Sequence, residues 1–350
     1  MGSHRKYPRQ PGTFGEIMTE PIQTITNALQ KSYAICSGYQ KIMVSISGGS
    51  DSDVMLDLIL QTVPKEKLTF VFFDTGIEYA ATKRHLDYLE EHYGIKIDRQ
   101  RASVPVPLGC KTYGLPFISK FISEMIERLQ KHGFDFAKDG PKSYDELIKK
   151  YPKLGVALTW WTNSYPAQEG KKSQFNIDTC YGLKEFLMTY PPDFRISSKC
   201  CNGAKKNTSH DYERKHKFDL KCVGLRKQEG GVRATRFKSC FEYQPKNETQ
   251  SFRPIWHFDD TTKSHYIAAY SVKLSDCYTI YGMKRTGCVG CPFNSRFEDD
   301  LEIVREHEPA LYKAAINIFG QSYEYTRKYR EFKKGFMSSN GEIYEQIRME

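Results

Sequence analysis

No apolar run in this 350-residue chain reaches the ~18–20 residues that a membrane-spanning helix needs. The opening MGSHRKYPRQPG is basic but leads into no apolar stretch, so no signal peptide is expected there. Internal repeats and low-complexity tracts are absent. So is G-x-x-x-x-G-K-[ST], which excludes phosphate binding by a Walker loop. Tryptophan is scarce, at 3, but 21 Phe and 23 Tyr make the chain far too aromatic for a disordered one. The apolar fraction, 39%, is a little low, yet the length suffices for a substantial core in one large domain or two. These features predict a soluble, cytoplasmic, globular protein with no membrane partner. Nothing in them decides the oligomeric state, and a homo-oligomer is compatible with them.

Nothing marks the chain for export, so its ten cysteines point to metal binding or chemistry rather than to a disulfide framework. The net charge of +10 is concentrated in one place. Residues 199–238 hold 12 Lys/Arg against 4 Asp/Glu, around the vicinal pair Cys200-Cys201. Such a run is either a solvated basic face or the footprint of a phosphate-rich ligand, nucleotide or nucleic acid.

A loose basic arm is expected over 1–18, then an amphipathic helix over 20–39. Strand-like runs follow at 41–46, 68–73 and 95–101, with helical spacing at 51–62 and 80–93 between them. Strand and helix alternating at short intervals predict an α/β fold with a doubly wound parallel sheet covered on both faces. That nucleotide-binding core spans 19–108. Residues 109–174 read as a mostly helical insertion that could act as a lid. The segment 175–296 completes the sheet domain, with another short strand at 221–224, and 297–350 reads as helix to about Lys334 and then a frayed tail.

The most informative stretch is Ser47-Gly48-Gly49-Ser50-Asp51-Ser52, directly after a strand and opening a helix. Exposed N–H groups at a helix N-terminus attract anions, and two glycines let the backbone approach a phosphate closely. Ser47 and Ser52 can add hydroxyl donors, and Asp51 can cap the helix or hold a cation such as Mg2+. The plain alternative is a Ser/Gly turn ending in an Asp cap. The second strand ends in Phe72-Phe73-Asp74-Thr75-Gly76-Ile77-Glu78-Tyr79, at the sheet edge where such folds bind ligands. Cys200-Cys201 and Cys288-Val-Gly-Cys291 are separated by 86 intervening residues, and four thiolates suit zinc or an iron–sulfur cluster.

S-G-G-x-D-S after a strand resembles the signature of the PP-loop ATP-pyrophosphatases, the adenine nucleotide alpha hydrolase superfamily. The Asp74-Thr75-Gly76 turn resembles that of phosphoadenylyl-sulfate (PAPS) reductase proteins, where it borders the adenosine pocket. Lys199-Cys-Cys-Asn-Gly-Ala-Lys205-Lys206, followed by the distant Cys288 and Cys291, is similar to the layout with which iron–sulfur sulfonucleotide reductases bind a [4Fe–4S] cluster. Val223-Gly-Leu-Arg226-Lys-Gln-Glu229, with Arg233 beyond it, resembles their phosphate-contacting turn. Phe252-Arg-Pro-Ile255 and the block from Tyr281 to Cys288 also resemble theirs. The likeness runs from about Lys41 to Phe293.

The resemblance implies binding of ATP or a sulfonucleotide (PAPS or APS) by Ser47, Gly48, Gly49, Ser50, Asp51, Ser52, Asp74, Thr75, Gly76, Arg226 and Arg233. It implies a cluster on Cys200, Cys201, Cys288 and Cys291, and chemistry assisted by Asp51, Lys205 and Arg226. True sulfonucleotide reductases, however, end in a tail with a nucleophilic cysteine, and here no cysteine follows Cys291. Three expectations follow. One is adenylation plus sulfur transfer, with a nucleic acid as an acceptor that fits the basic segment and a sulfur donor or redox protein as partner. Another is sulfonucleotide reduction through a non-standard cysteine such as Cys110 or Cys180. The third is an inactive nucleotide-binding partner subunit.

Overall fold

The structure is a computed structural model that describes residues 14–166, 173–229, 237–245 and 248–349, with side chains from Glu20 to residue 336 within those ranges. The chain divides into two compact units. The first comprises Met1–Phe73, Ala80–Gln100 and Ser209–Gly287; the second comprises Asp74–Tyr79, Arg101–Thr208 and Cys288–Glu350.

The first unit is built on a six-stranded sheet: β1 (Ile42–Ile46), β2 (Leu68–Asp74), β3 (Ile97–Arg101), β4 (Leu220–Val223), β5 (Phe241–Glu242) and β6 (Gln250–Phe252). The order is β3-β2-β1-β4-β6-β5. β1 runs parallel to β2 and β4, with Ile42 opposite Leu68 on one side and Leu220 on the other. β4 is parallel to β6, and only β5 turns antiparallel at the edge. The expected α/β architecture with a mostly parallel sheet is therefore what forms. From β1 the chain builds outward first to β2 and β3, then later to β4 and β6. The C-terminal ends of β1 and β4 thus flank the point where strand order reverses, the crevice in which open α/β sheets take ligands.

Both faces of β1 are buried, as a parallel sheet requires. Ile42, Val44 and Ile46 join one apolar cluster with Ile25 and Ala28 of α1 (Phe14–Ser37) and with Val54, Met55, Leu58 and Ile59 of α2 (Ser50–Thr62). Met43 points the other way, onto Val71, Tyr212 and Phe218. Fully burying each aliphatic side chain of α2 is worth roughly 1.5–3 kcal/mol, so α2, and the turn that opens it, is firmly seated. α2 stops at Val63, which Pro64 forces into extended geometry (φ −132°, ψ 131°). α3 occupies Ala80–Tyr93 and buries Leu86 and Leu89.

In the second unit α4 (Val106–Tyr113), α5 (Lys120–Lys131), α6 (Phe136–Asp139), α7 (Tyr144–Lys150), α8 (Gly155–Trp161) and α9 (Leu183–Thr189) make the segment after residue 105 mostly helical. The apolar stripe of α5 (Ile122, Met125, Ile126, Leu129) packs with Phe117, Trp160, Trp161, Phe186 and the rings of Tyr325 and Tyr329. A helical stretch opens at Lys199–Cys201, widens into a π-turn over Asn202–Asn207 and continues as Thr208–His216. Such widened turns recur at functional sites.

Two helix boundaries differ from expectation. α1 starts at Phe14 and runs through Pro21 instead of starting near it. The last helix, Pro309–Met349, continues through the Gly/Ser/Asn segment expected to fray, because a glycine costs only about 1 kcal/mol in a helix and does not break it.

Candidate nucleotide and thiol sites

In the first unit, the turn after β1 has the geometry of an anion nest. Gly48 is left-handed (φ +65°), a conformation an L side chain adopts only with strain, and a Cβ there would lie 2.7 Å from Thr82 Cγ2. Gly49 caps α2 with no side-chain hydrogen bond, and its carbonyl accepts the Asp53 amide at 3.0 Å. The serines act inward: the Ser47 amide donates to Ser52 Oγ at 2.9 Å, and the Gly49 amide to Ser47 Oγ at 3.3 Å.

Asp51 is not the cap; it lies in the first turn of α2 and is held by two cations. Arg226 Nε donates to its Oδ1 at 2.9 Å, and Lys263 Nζ lies 3.0 Å from the same oxygen. Arg226 is buried and also donates to Asp260 Oδ1 at 2.9 Å. Gly224 makes this reach feasible, since a Cβ there would come within 2.8 Å of the Asp51 carbonyl oxygen. Because β4 pairs with β1, the turn carrying Arg226 lands against the turn carrying Asp51. Behind the loop, the buried pair His85 and Asp53 meets at 2.9 Å, while Asp53 Oδ1 has no hydrogen-bond partner. Burial raises the Asp53 pKa against the opposing hydrogen bond from His85.

The second unit gathers thiols. Cys200 is buried, and Cys110 and Cys201 are the neighbours that act on its thiol. α4 approaches the pair closely, for a Cβ on Gly109 would lie 3.1 Å from Cys200 Cα. The contact with Cys110 raises the Cys200 pKa, and the contact with Cys200 together with burial raises that of Cys201. Burial pushes Cys291 up to about 12, with Cys288 and Cys201 adding to the effect. Cys288 Sγ is 3.5 Å from Thr75 Oγ1, which donates to Glu78 Oε1 at 2.5 Å. Asp74 closes its own turn by accepting the Gly76 amide at 2.8 Å. Burial raises the Glu78 pKa against the opposing influence of Lys205. Burial also works against the Lys205 ammonium, but Cys288, Glu78, Cys201 and Cys291 outweigh it and raise its pKa. The ten cysteines are thiols rather than halves of disulfides. Among the described residues no three His, Cys, Asp or Glu side chains form a ready-made metal site. Cys200, Cys201, Cys288 and Cys291 are the donors a thiolate-bound centre would use, and the exposed Lys205 ammonium would offset part of their charge.

Residues 41–149 match the family model of the phosphoadenosine phosphosulfate reductase domain. That segment takes in the phosphate loop and the 74–78 turn and ends before all four proposed ligand cysteines. Over 82 residues the chain is 43% identical to an uncharacterised protein of Methanocaldococcus jannaschii, a match covering 22% of this chain and 17% of that relative's length. Among solved structures it is similar to PAPS reductase from Candida auris (TM-score 0.40, 13% identity, 80% of this chain and 98% of that one). It is also similar to the U34-tRNA thiolase NcsA from Methanococcus maripaludis with its [4Fe–4S] cluster (TM-score 0.38, 14% identity, 92% and 81%). No described helix is long and apolar enough to cross a membrane.

The expected site residues fall into two groups. Ser47, Gly48, Gly49, Ser50, Asp51 and Ser52 meet Arg226 in the first unit, whereas Asp74, Thr75, Gly76, Lys205 and the four cysteines belong to the second. Arg233 lies outside the described residues. Sequence reasoning missed Lys263, Tyr278 and Thr286 at the loop, and the contact of Cys110 with Cys200. Lys263 stands in no motif. Thr286 lies within the block from Tyr281 to Cys288, so that block carried a signal for it, whereas Tyr278 stands outside any motif.

Proposed function

We propose that this chain binds ATP or a sulfonucleotide at residues 47–52 and carries out adenylation with sulfur transfer, its acceptor being a nucleic acid. The observation that carries this reading is the convergence of Arg226 and Lys263 on Asp51 beside the two-glycine turn. Phosphates seated there would meet the N-terminus of α2, and the two cations would offset charge developing on the leaving pyrophosphate. An acceptor oxygen attacks the α-phosphate and the bond to pyrophosphate breaks; sulfide then forms the new bond to the acceptor and displaces AMP, which carries that oxygen away. Asp51 is the group to hold Mg2+. Cys200, Cys201, Cys288 and Cys291 would hold a [4Fe–4S] cluster, with Lys205 offsetting its charge and Thr75 contacting Cys288. Such a cluster, when bound, supplies iron able to ligate sulfur or pass electrons. The basic run 199–238 supports a nucleic-acid acceptor.

A second reading, sulfonucleotide reduction, is favoured by one observation: Cys110 is a fifth thiol, touching Cys200. Its burial in α4 weighs against it, since attack on a bound sulfonucleotide needs a reachable thiolate.

Anaerobically prepared protein should contain iron and acid-labile sulfide, both lost on Cys200→Ser with Cys288→Ser and kept in Cys110→Ser. Incubation with ATP, an acceptor nucleic acid and sulfide should release AMP and pyrophosphate, read by mass spectrometry. Stoichiometric zinc without sulfide would overturn the cluster. Turnover of PAPS to sulfite, with ATP untouched, would replace the first reading by the second.

A further inference from the structure

Three side chains to which the sequence assigned no role close on the phosphate loop. The Tyr278 hydroxyl accepts the Ser50 amide at 3.1 Å and lies 3.2 Å from Thr286 Oγ1. That amide is one of the unpaired donors at the start of α2 on which an anion depends. A Cβ on Gly49 would stand 3.3 Å from Tyr278 Oη and 3.1 Å from Thr286 Oγ1, so both hydroxyls lie over the bare face of the glycine. Lys263, from the Asp260–Ala269 helix, donates to Ser50 Oγ at 3.2 Å while paired with Asp51.

Resting on the nucleotide reading above, we propose that the Tyr278 hydroxyl is a surrogate for a phosphate oxygen. It holds the Ser50 amide until an oxygen of an oligophosphate takes that amide, and Lys263 then turns from Asp51 to the same group. The exchange runs in this direction because a hydrogen bond to an ionised oxygen at a helix N-terminus is roughly twice as strong as one to a neutral phenol. Lys263 already spans Ser50 and Asp51, so a small side-chain rotation suffices. Tyr278 and Lys263 are therefore binding-site residues of opposite effect, one competing with the ligand and one joining it.

The test is calorimetry of the full chain with inorganic pyrophosphate, ATP and adenosine. Tyr278→Phe should bind pyrophosphate and ATP more tightly, by roughly threefold to tenfold, the worth of one ordinary hydrogen bond no longer displaced. Lys263→Met should weaken both by at least about tenfold and leave adenosine unchanged, the loss expected for one charge-assisted contact. With 3-fluorotyrosine at position 278, the fluorine resonance should shift on saturation with pyrophosphate. Equal or weaker binding by Tyr278→Phe, or an unmoved resonance, would overturn the inference. Gly49→Val separates the two levels. If it binds ATP like the wild type, the nucleotide reading itself fails; if it loses ATP while Tyr278→Phe binds no better, only the surrogate role fails.

Discussion

Removing Arg226 tests the joint between the two turns of the proposed nucleotide site. The Arg226 side chain is 8% exposed and that of Asp51 20%, and they meet at 2.9 Å. Two unit charges ~4 Å apart attract by about 4 kcal/mol at an effective dielectric near 20, before desolvation is counted. A charge-assisted hydrogen bond at such a depth nets about 1.5–3 kcal/mol. The second arm, to Asp260, ends on a side chain 71% exposed, and an exposed pair is worth about 1 kcal/mol at most. A double-mutant cycle of Arg226→Met with Asp51→Asn, read by urea denaturation, should therefore give a coupling near 2 kcal/mol. Lys263 stays on Asp51 in the single Arg226 variant, so the cycle isolates the arginine. Arg226→Lys should recover less than half of it, because an ammonium cannot reach Asp51 and Asp260 with one planar fork. Pyrophosphate affinity should fall about tenfold to a hundredfold in Arg226→Met, the loss of one charge-assisted contact. A coupling below about 0.5 kcal/mol, the ordinary scatter of independent sites, would refute the claim that this pair sets the loop.

Gly48→Ala should cost about 1–2 kcal/mol from its left-handed backbone alone, plus the contact with Thr82. Adding Thr82→Ser should recover only the contact, and a complete recovery of the melting temperature would refute the backbone account. His85→Ala leaves the buried Asp53 unpaired and should cost about 3–5 kcal/mol in urea denaturation. Burial raises the Asp53 pKa, so its folded form binds a proton more readily than its unfolded form. The deficit of His85→Ala should shrink as pH falls toward the ordinary carboxyl range near ~4, and a deficit independent of pH would refute the assignment. Binding of a nucleic acid should weaken with salt at a slope of roughly −0.9 per duplex phosphate contacted, and a flat dependence would leave only the small nucleotide.

The sequence by itself determined the local elements and the loop chemistry. Apolar spacing located α3 at Ala80–Tyr93 and the first two strands to within a residue, because periodicity is a short-range property. Ser47-Gly48-Gly49 pointed to a tight turn, and Gly48 is left-handed there, because only glycine takes that backbone cheaply. The edge strands β5 and β6, two and three residues long, carried no such pattern. Only tertiary structure decided which distant residues serve each site. Asp51 and Arg226 are 175 positions apart, and they meet because β4 pairs alongside β1. Lys263, Tyr278 and the Cys110–Cys200 contact were invisible for the same reason: each acts through a neighbour brought near by packing, and packing partners leave no spacing in a single chain.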